Sequence, residues 1–555
     1  MRILLLTHAF NSLTQRLFVE LADRGHSVSV EFDITDSVTL EAVALFRPDV
    51  VVAPFLKRAI PETVWRKLPC LIVHPGPRGD RGPAALDHAI LEDHKRWGVT
   101  VLLAEAVMDA GPVLASADFP MRAAPKSSLY RHEVTEGAVA GVLAALERLE
   151  RGTAAPEVLM DLSGWKPTLR QEDRAINWSV DTTATVLRKI RAADGRPGVL
   201  DHLFGEPVYL YDAQEETRLT GNPGAVIAKQ ETALCRATVD GAVWIGHVRR
   251  KEAALSIKLP TMLAFAEHEN TVPPPPEQDT YWRDLWYEER NGVGFLHFPF
   301  YNGAMSTRQC ERLTQALVAA KARPTQVIVL MGGPDFWSNG MHLNVIEAAE
   351  SPADESWRNI NAINDLVREI ITTTDRLTIA SLHGNAGAGG VFLALACDHV
   401  WARAGIILNP HYKGMGNLHG SEYWTYLLPR RVGPMLAEQV TAARLPIGTK
   451  EARRLGLIDE AIAGDVATFR AETETRAMAL AADPALAVLI EEKRRTRATD
   501  EAVKPLAAYR ALELDRMKLN FYGFDPSYHV ARYNFVFGVQ KSHTPLVIAR
   551  HRRRI

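Results

Sequence analysis

Residues 71–90 read LIVHPGPRGDRGPAALDHAI: three apolar residues, a histidine, a loop crowded with Pro and Gly, then an amphipathic stretch. Apolar runs this short, closed by Pro and Gly, fit buried strands better than helices. Working back toward the N-terminus, RILLLT, HSVSVEF and DVVVAPF alternate with helical patterns, as buried parallel strands with helical crossovers do. Residues 1–160 are therefore expected to form a Rossmann-like, doubly wound parallel sheet. The first strand runs into HAFNSLTQR instead of G-x-G-x-x-G, so the turn that lets backbone approach a pyrophosphate is missing, and no nicotinamide is expected. Ligands should gather beyond the C-terminal strand ends, where Pro54–Pro61 and His74–Pro83 fall.

Toward the C-terminus the pattern changes. A helix near Thr183–Arg191 is followed by PVYLYD, GAVIAKQ, ALCRATVD and AVWIGHVRR, short alternating segments that predict a small OB-like β-barrel over 161–272. PPPPE at Pro273–Glu277 opens a stiff, extended linker, 273–284. GVGFLHFPF, QVIVLMG and LTIASLHG then read as strands of a second α/β domain over 285–465, and residues 466–555 as a helical extension. A multidomain α/β protein is what 555 residues require, since one hydrophobic core does not grow that large.

Lys and Arg total 64 against 66 Asp and Glu, which leaves no basic field for a polyanion, so no nucleic-acid partner is expected. The one basic run, Arg550–Arg554, reads as a solvated tail. Cys70, Cys235, Cys310 and Cys397 are scattered without ligand spacing, which points to a reducing, cytoplasmic compartment and to no metal site. No stretch approaches the ~18 apolar residues of a membrane span, and MRILLL is too short for a signal segment.

In the first half, His74 leaves its strand into the Pro/Gly loop and Asp109 follows the next strand in VMDAGP, so the two can meet at one sheet edge as an acid-base pair. The H-P loop, the R-G-x-x-x-x-x-x-A-I stretch, the G-V-T strand and the D-x-G-P turn together resemble the formyltransferases that use 10-formyltetrahydrofolate, including the methionyl-tRNA and glycinamide ribonucleotide enzymes. INWS at 176–179 and the predicted barrel resemble that family's C-terminal part. The resemblance implies a site where an Asn and a protonated His stabilise a tetrahedral oxyanion while an Asp orients the His. His74 and Asp109 match; the Asn position is Ile72, and losing one oxyanion donor costs on the order of 2.7–4 kcal/mol elsewhere. APFLKRAIP matches the loop that holds the pterin through backbone groups, which makes Lys57 to Ala59 candidates for the folate pocket.

In the second half, VIVLMGGPDFWSNGMHLN and SLHGNAGAGGVFLALACDHVWA resemble the two signature motifs of the enoyl-CoA hydratase/isomerase (crotonase) superfamily, and LLPRRVG and TKEARRLGLIDEAI continue the likeness. The resemblance implies an oxyanion hole for a thioester carbonyl built from the main-chain N–H groups of Met341 and Gly389. The hydratase's catalytic glutamates would fall at Phe392 and near His411, so hydration of a double bond is not expected. Tyr412 and Glu422 occupy the second catalytic segment, and a Glu in a partly apolar pocket suits acid-base work; a packed ring and a helix-capping carboxylate are the alternative.

A folate formyltransferase part fused to a crotonase part resembles the HypX/HoxX family of nickel-iron hydrogenase maturation factors. The likeness implies formyl transfer from 10-formyltetrahydrofolate to coenzyme A, then decarbonylation of formyl-CoA to CoA and the carbon monoxide ligand of the hydrogenase iron. Tetrahydrofolate and CoA would be the small-molecule partners, and hydrogenase maturation proteins or the large-subunit precursor the protein partners. The thiol must visit both sites, so a connecting cavity is expected. Asn302, in PFYNGAM, is a candidate contact for the nucleotide end of CoA, with Gln15 and Arg131 as further candidates. Formyl transfer to an amine, with a C-terminal half that binds an acyl-CoA or acts as a scaffold, is the rival reading.

Overall fold

The computed structural model describes residues 1–152, 164–276 and 281–553. The chain forms two units, Met1–Trp282 with Lys541–Ile555, and Arg283–Gln540. The expected boundary at 160/161 lies outside the described residues, as do linker residues 277–280 and Arg554.

The first unit begins with a six-stranded sheet: β1 (Arg2–Thr7), β2 (Ser27–Phe32), β3 (Val50–Phe55), β4 (Cys70–His74), β5 (Arg96–Leu103) and β6 (Val113–Pro120), in the order β2-β1-β3-β4-β5-β6. After their first residue β1 and β2 are buried throughout, because helices cover both faces. The first four strands are parallel, as expected, whereas β5 runs antiparallel to both of its neighbours, β4 and β6.

The second sheet of this unit is antiparallel: β7 (Val199–Leu203), β8 (Glu206–Glu216), β9 (Val226–Gln230), β10 (Ala233–Ala237) and β11 (Ala242–Arg250), in the order β7-β8-β11-β10-β9, with β12 (Leu259–Pro260) on β11. The amphipathic helix Thr183–Ala192 seats Val186, Leu187 and Ile190 in its core. The linker expected to be stiff and extended is hydrogen-bonded to the antiparallel sheet at its described ends. Pro273 O accepts the Lys229 amide at 2.9 Å, and Gln230 Oε1 accepts the Tyr281 and Trp282 amides while both rings pack beside Trp244.

In the second unit β13 (Trp286–Arg290) and β14 (Val293–Phe298) form a hairpin around Asn291-Gly292, both at positive φ, as a tight two-residue turn demands. β14 continues in parallel into β16 (Val327–Gly332), β19 (Leu377–Leu382), β21 (His399–Arg403) and β24 (Glu460–Ile462), numbered with β15 (Ala304–Met305), β17 (Phe336–Ser338), β18 (Gly340–Met341), β20 (Asn385–Gly387), β22 (Ile407–Asn409) and β23 (Ile447–Gly448) in chain order. The short strands make a second layer, β17-β20-β22-β23, and a pair, β15-β18. Both signature motifs pass through these short strands, and Gly340 of the first comes beside Gly389 of the second.

The helical extension expected over 466–555 runs through helices to Phe537, after which Lys541–Ile555 rejoins the first unit. Arg550–Arg554 was expected as a solvated tail; its described part instead closes the β2 edge. Val30 N donates to Ile548 O at 3.0 Å, and buried Glu31 accepts from Thr544 Oγ1, from His551 Nε2 at 2.9 Å and from Arg552 Nε at 2.6 Å. Burial alone would raise the Glu31 carboxyl; the donors outweigh it and hold the group below the usual carboxylate range. His551 and Arg552 thus turn inward to a charge at the sheet edge, while Arg550 and Arg553 stay exposed.

Candidate functional site

His74 is the last residue of β4 and is 3% exposed. Its Nδ1 lies 3.5 Å from Asp109 Oδ2, so the structure brings together the pair picked out from sequence. A second carboxylate is closer: Asp80 Oδ2 lies 2.8 Å from His74 Nε2. An imidazole whose two nitrogens both face acceptors satisfies both only when it carries two protons. The two carboxylates are themselves fixed. Asp109, at φ 54°, accepts the Gly82 amide at 3.1 Å, and Lys166 Nζ is 3.7 Å from Asp80 Oδ1. Gly76 makes room for the pair, since a Cβ there would lie 2.2 Å from Asp80 Oδ2 and 2.5 Å from His74 Nε2. Ile72 packs with the apolar cluster of Leu4, Val51 and Ala53.

The Lys57–Ala59 loop is exposed at its side chains and anchored through its backbone: Asp33 Oδ2 accepts the Lys57 and Arg58 amides at 3.0 and 3.3 Å, and Asp33 Oδ1 is 2.8 Å from His8 Nδ1. Those two amides are committed, so the carbonyls of the loop and the Ala59 backbone are what it can offer a ligand. Gln15 Nε2 donates to Phe10 O at 2.9 Å, and Arg131 lies half-buried in the turn Tyr130–Val134. Arg131 and Arg196 face Lys258, whose ammonium stands 3.8 Å over the Tyr211 ring. Burial pushes that ammonium down to about 8, Asp194 and Asp212 oppose the shift, and the two arginines reinforce it. Nothing in the sequence pattern singled out Lys258.

In the second unit the two motifs meet at their glycines: a Cβ on Gly340 would lie 3.4 Å from the Gly389 nitrogen. Gly389 opens the buried helix Gly389–Leu395, where the first amides have no partner within the helix, and Met341 follows Gly340 in β18. Glu422 lies against this edge; a Cβ on Gly389 would come within 2.5 Å of its Oε1. Glu422 Oε2 accepts the Tyr412 hydroxyl at 2.5 Å and the Ser421 amide at 3.2 Å. Burial drives the Glu422 carboxyl up to about 7; the Tyr412 hydrogen bond pulls it back and the neighbouring Glu513 charge adds to the rise. The Tyr412 hydroxyl is raised well above its ordinary range by burial and by Glu422. Phe392 stacks on Tyr412, centroids 5.3 Å apart. A cavity of about 530 Å³ reaches Tyr412 past Lys413, Leu418, His419 and Trp424. Asn302 takes a left-handed turn at φ 55°, and its carbonyl accepts Asn339 Nδ2 at 2.8 Å.

Sequence reasoning missed Asp80 and Glu513. Asp80 stands only six residues after His74 in the same loop, a signal visible in the sequence. Among the described residues, no group of three or more His, Cys, Asp or Glu is placed to hold a metal ion, and no helix is long and apolar enough to cross a membrane.

Residues 290–520 match the enoyl-CoA hydratase/isomerase family, and residues 168–258 match the formyl transferase C-terminal domain. A methionyl-tRNA formyltransferase of Syntrophus aciditrophicus is 28% identical over 199 residues, 35% of this chain and 63% of that enzyme. The crystal structure of HypX from Aquifex aeolicus in complex with tetrahydrofolic acid superposes with a TM-score of 0.97 at 50% identity, covering 100% of this chain and 99% of that one. The hydrogenase maturation factor HoxX of Bradyrhizobium diazoefficiens is 58% identical over 560 aligned positions, which span 100% of this chain and 98% of that protein. With both halves and their order accounted for, the chain belongs to the HypX/HoxX family of hydrogenase maturation factors.

Proposed function

We propose that the protein moves a formyl group from 10-formyltetrahydrofolate to coenzyme A and then splits formyl-CoA into carbon monoxide and CoA, supplying CO for the iron of a hydrogenase. The observation that carries this reading is the Tyr412–Glu422 pair, hydrogen-bonded at 2.5 Å, buried, and pressed against the Gly389 edge. The tetrahydrofolate complex of the Aquifex relative supports the folate half. Further support comes from His74, which faces two carboxylates at a strand end, where α/β sheets collect ligands.

At the first site the CoA sulfur adds to the formyl carbon, the His74 imidazolium stabilises the oxyanion, and the C–N bond breaks with a proton returned to the folate nitrogen. Asp80 and Asp109 orient that ring. At the second site the Met341 and Gly389 amides hold the formyl oxygen of the thioester. Glu422 takes the formyl proton, the C–S bond breaks, carbon leaves as CO, and the Tyr412–Glu422 pair returns the proton to the thiolate. Formyl-CoA and its products have the same atoms and the same electrons, so no oxidant or reductant enters.

The test is to incubate the pure protein with 10-formyltetrahydrofolate, with and without CoA, and to trap gas with reduced haemoglobin. CO that depends on CoA is expected; CO without CoA, or none with it, defeats the reading. Formyl transfer that survives His74→Ala would remove the first site from it.

A further inference from the structure

The backbone that presents Glu422 is bent against its preference. Glu422 and Tyr423 take consecutive left-handed angles, φ 60° and 57°, which persist in non-glycine residues only where neighbours fix them. The neighbour is Glu513, on the helix Leu506–Tyr522, with none of its surface exposed. Its Oε2 accepts the Tyr423 amide at 2.9 Å and the Ser421 hydroxyl at 3.4 Å. Its Oε1 accepts the Thr425 amide at 2.9 Å and the Thr425 hydroxyl at 2.6 Å. From the opposite side Asn364 Oδ1 accepts the Glu422 amide at 2.8 Å, and Asn364 Nδ2 donates to the Ser421 hydroxyl at 2.8 Å. Main-chain amides only donate, so both oxygens at position 513 have to accept. A carboxylate does this, whereas a carboxamide offers a single accepting atom.

We infer that Glu513 is the positioning residue of the second site: it locks the Ser421–Thr425 turn and thereby aims the Glu422 carboxylate at Tyr412 and the Gly389 edge. The inference rests on the reading of Glu422 as the group that moves protons. It assigns a task to a helix that lies beyond both signature motifs, and it explains why so buried a position holds a carboxyl group, which burial pushes up to about 7 while the four donors that converge on it pull it back.

The test compares the full chain carrying Glu513→Gln with the native protein, each supplied with 10-formyltetrahydrofolate and CoA. Glu422→Gln and Tyr412→Phe are run alongside. Gln keeps the size and forfeits one acceptor, so the turn loosens and kcat for CO formation falls by about 10²-fold, the cost of a ~1 Å misplacement, while KM for CoA stays nearly constant. The pH limb that reports Glu422 moves to lower pH, because the like charge beside it is gone. The other titratable groups coupled to Glu422 are Tyr412 and Cys310, both left unaltered. A purely structural role would reduce the folded fraction seen in a thermal melt and leave kcat per folded molecule unchanged.

An unchanged kcat per folded molecule overturns the inference. Should Glu513→Gln fail to fold, Thr425→Val deletes one donor to the same carboxylate; a smaller loss with the same split is expected, and no loss overturns the proposal. If Glu422→Gln and Tyr412→Phe leave CO formation intact, the proposed function fails and this inference falls with it. If they abolish CO while Glu513→Gln is silent, only the inference fails.

Discussion

Replacing Gly389 by Ala separates catalysis from stability at the second site. The added methyl would stand 2.5 Å from Glu422 Oε1, 2.7 Å from its Cδ and 3.1 Å from Oε2. Relief needs a shift of about 1 Å at the carboxylate, and misplacing a reacting group by that much costs on the order of 10²-fold in rate. Stability is pulled both ways. Ala at a compatible backbone position gains about 0.4–1 kcal/mol over Gly, while a buried carboxylate edged away from its partner loses about 1–3 kcal/mol. The variant should therefore fold with a net loss of between zero and about 2.6 kcal/mol and form CO about 10²-fold more slowly, while formyl transfer at the first site proceeds. Gly390→Ala is the contrasting control: its methyl would stand 2.0 Å from the main-chain oxygen of Ser338 and should cost the second unit its fold. Haemoglobin trapping gives the CO rate, tetrahydrofolate release the transfer rate, and a thermal melt the stability. A Gly389→Ala protein with a native CO rate would refute the placement of Glu422 at the reacting carbon.

Three other outcomes are expected. Asp80→Asn should slow formyl transfer at least as much as Asp109→Asn, about 10²-fold or more, because Asp80 is the nearer partner of His74 at 2.8 against 3.5 Å; a native transfer rate in Asp80→Asn would reduce it to a loop residue. Glu422→Gln should stabilise the second unit at pH 8 and leave it nearly unchanged at pH 4. With the folded carboxyl raised from 4.5 to about 7, the folded state binds more protons than the unfolded chain in that window, and the stability this group contributes is lost as pH rises through it. The gain at pH 8 is on the order of 1–3 kcal/mol, read as a pH-dependent rise in Tm, and equal shifts at both pH values would exclude it. Removing Lys541–Ile555 should destabilise the first unit by about 3–5 kcal/mol, since it strands buried Glu31. For Glu31, held low in the folded state, the contribution is present above the ordinary carboxylate range and lost as pH falls below it. A first-unit melting transition unmoved by the truncation would show that the tail adds nothing.

What the sequence made legible was whatever chemistry had constrained locally. Strand ends with Pro and Gly announced the His74 loop, and the paired signature motifs announced Gly389, because backbone approach to a ligand demands particular residues in a row. What stayed hidden depended on partners far along the chain. Glu513, in ALELDRMK, reads as the solvated face of a helix until that helix packs against residues 421–425. Glu31 and Arg552 are 521 residues apart, and neither shows on its own that it will be buried or paired. Asp80 was hidden differently: Asp after a glycine in a Pro/Gly loop is ordinary turn chemistry, and only the short reach to His74 Nε2 gives it another task.

The swap at Phe392 also bears on which reaction the second site can favour. Adding water across a double bond takes a base to activate the water and an acid to protonate carbon, and the hydratase signature supplies glutamates for both. Here one of those positions is a fully buried Phe whose ring stacks on Tyr412. A formyl thioester faces two fates, attack by water to give formate or loss of CO, and only the first requires an activated water. Replacing a carboxylate by a ring leaves Glu422 to take a proton from the formyl carbon while removing the group best placed to ready a water. On the proposed route, then, selectivity for CO over formate comes from what Phe392 excludes as much as from what Glu422 does.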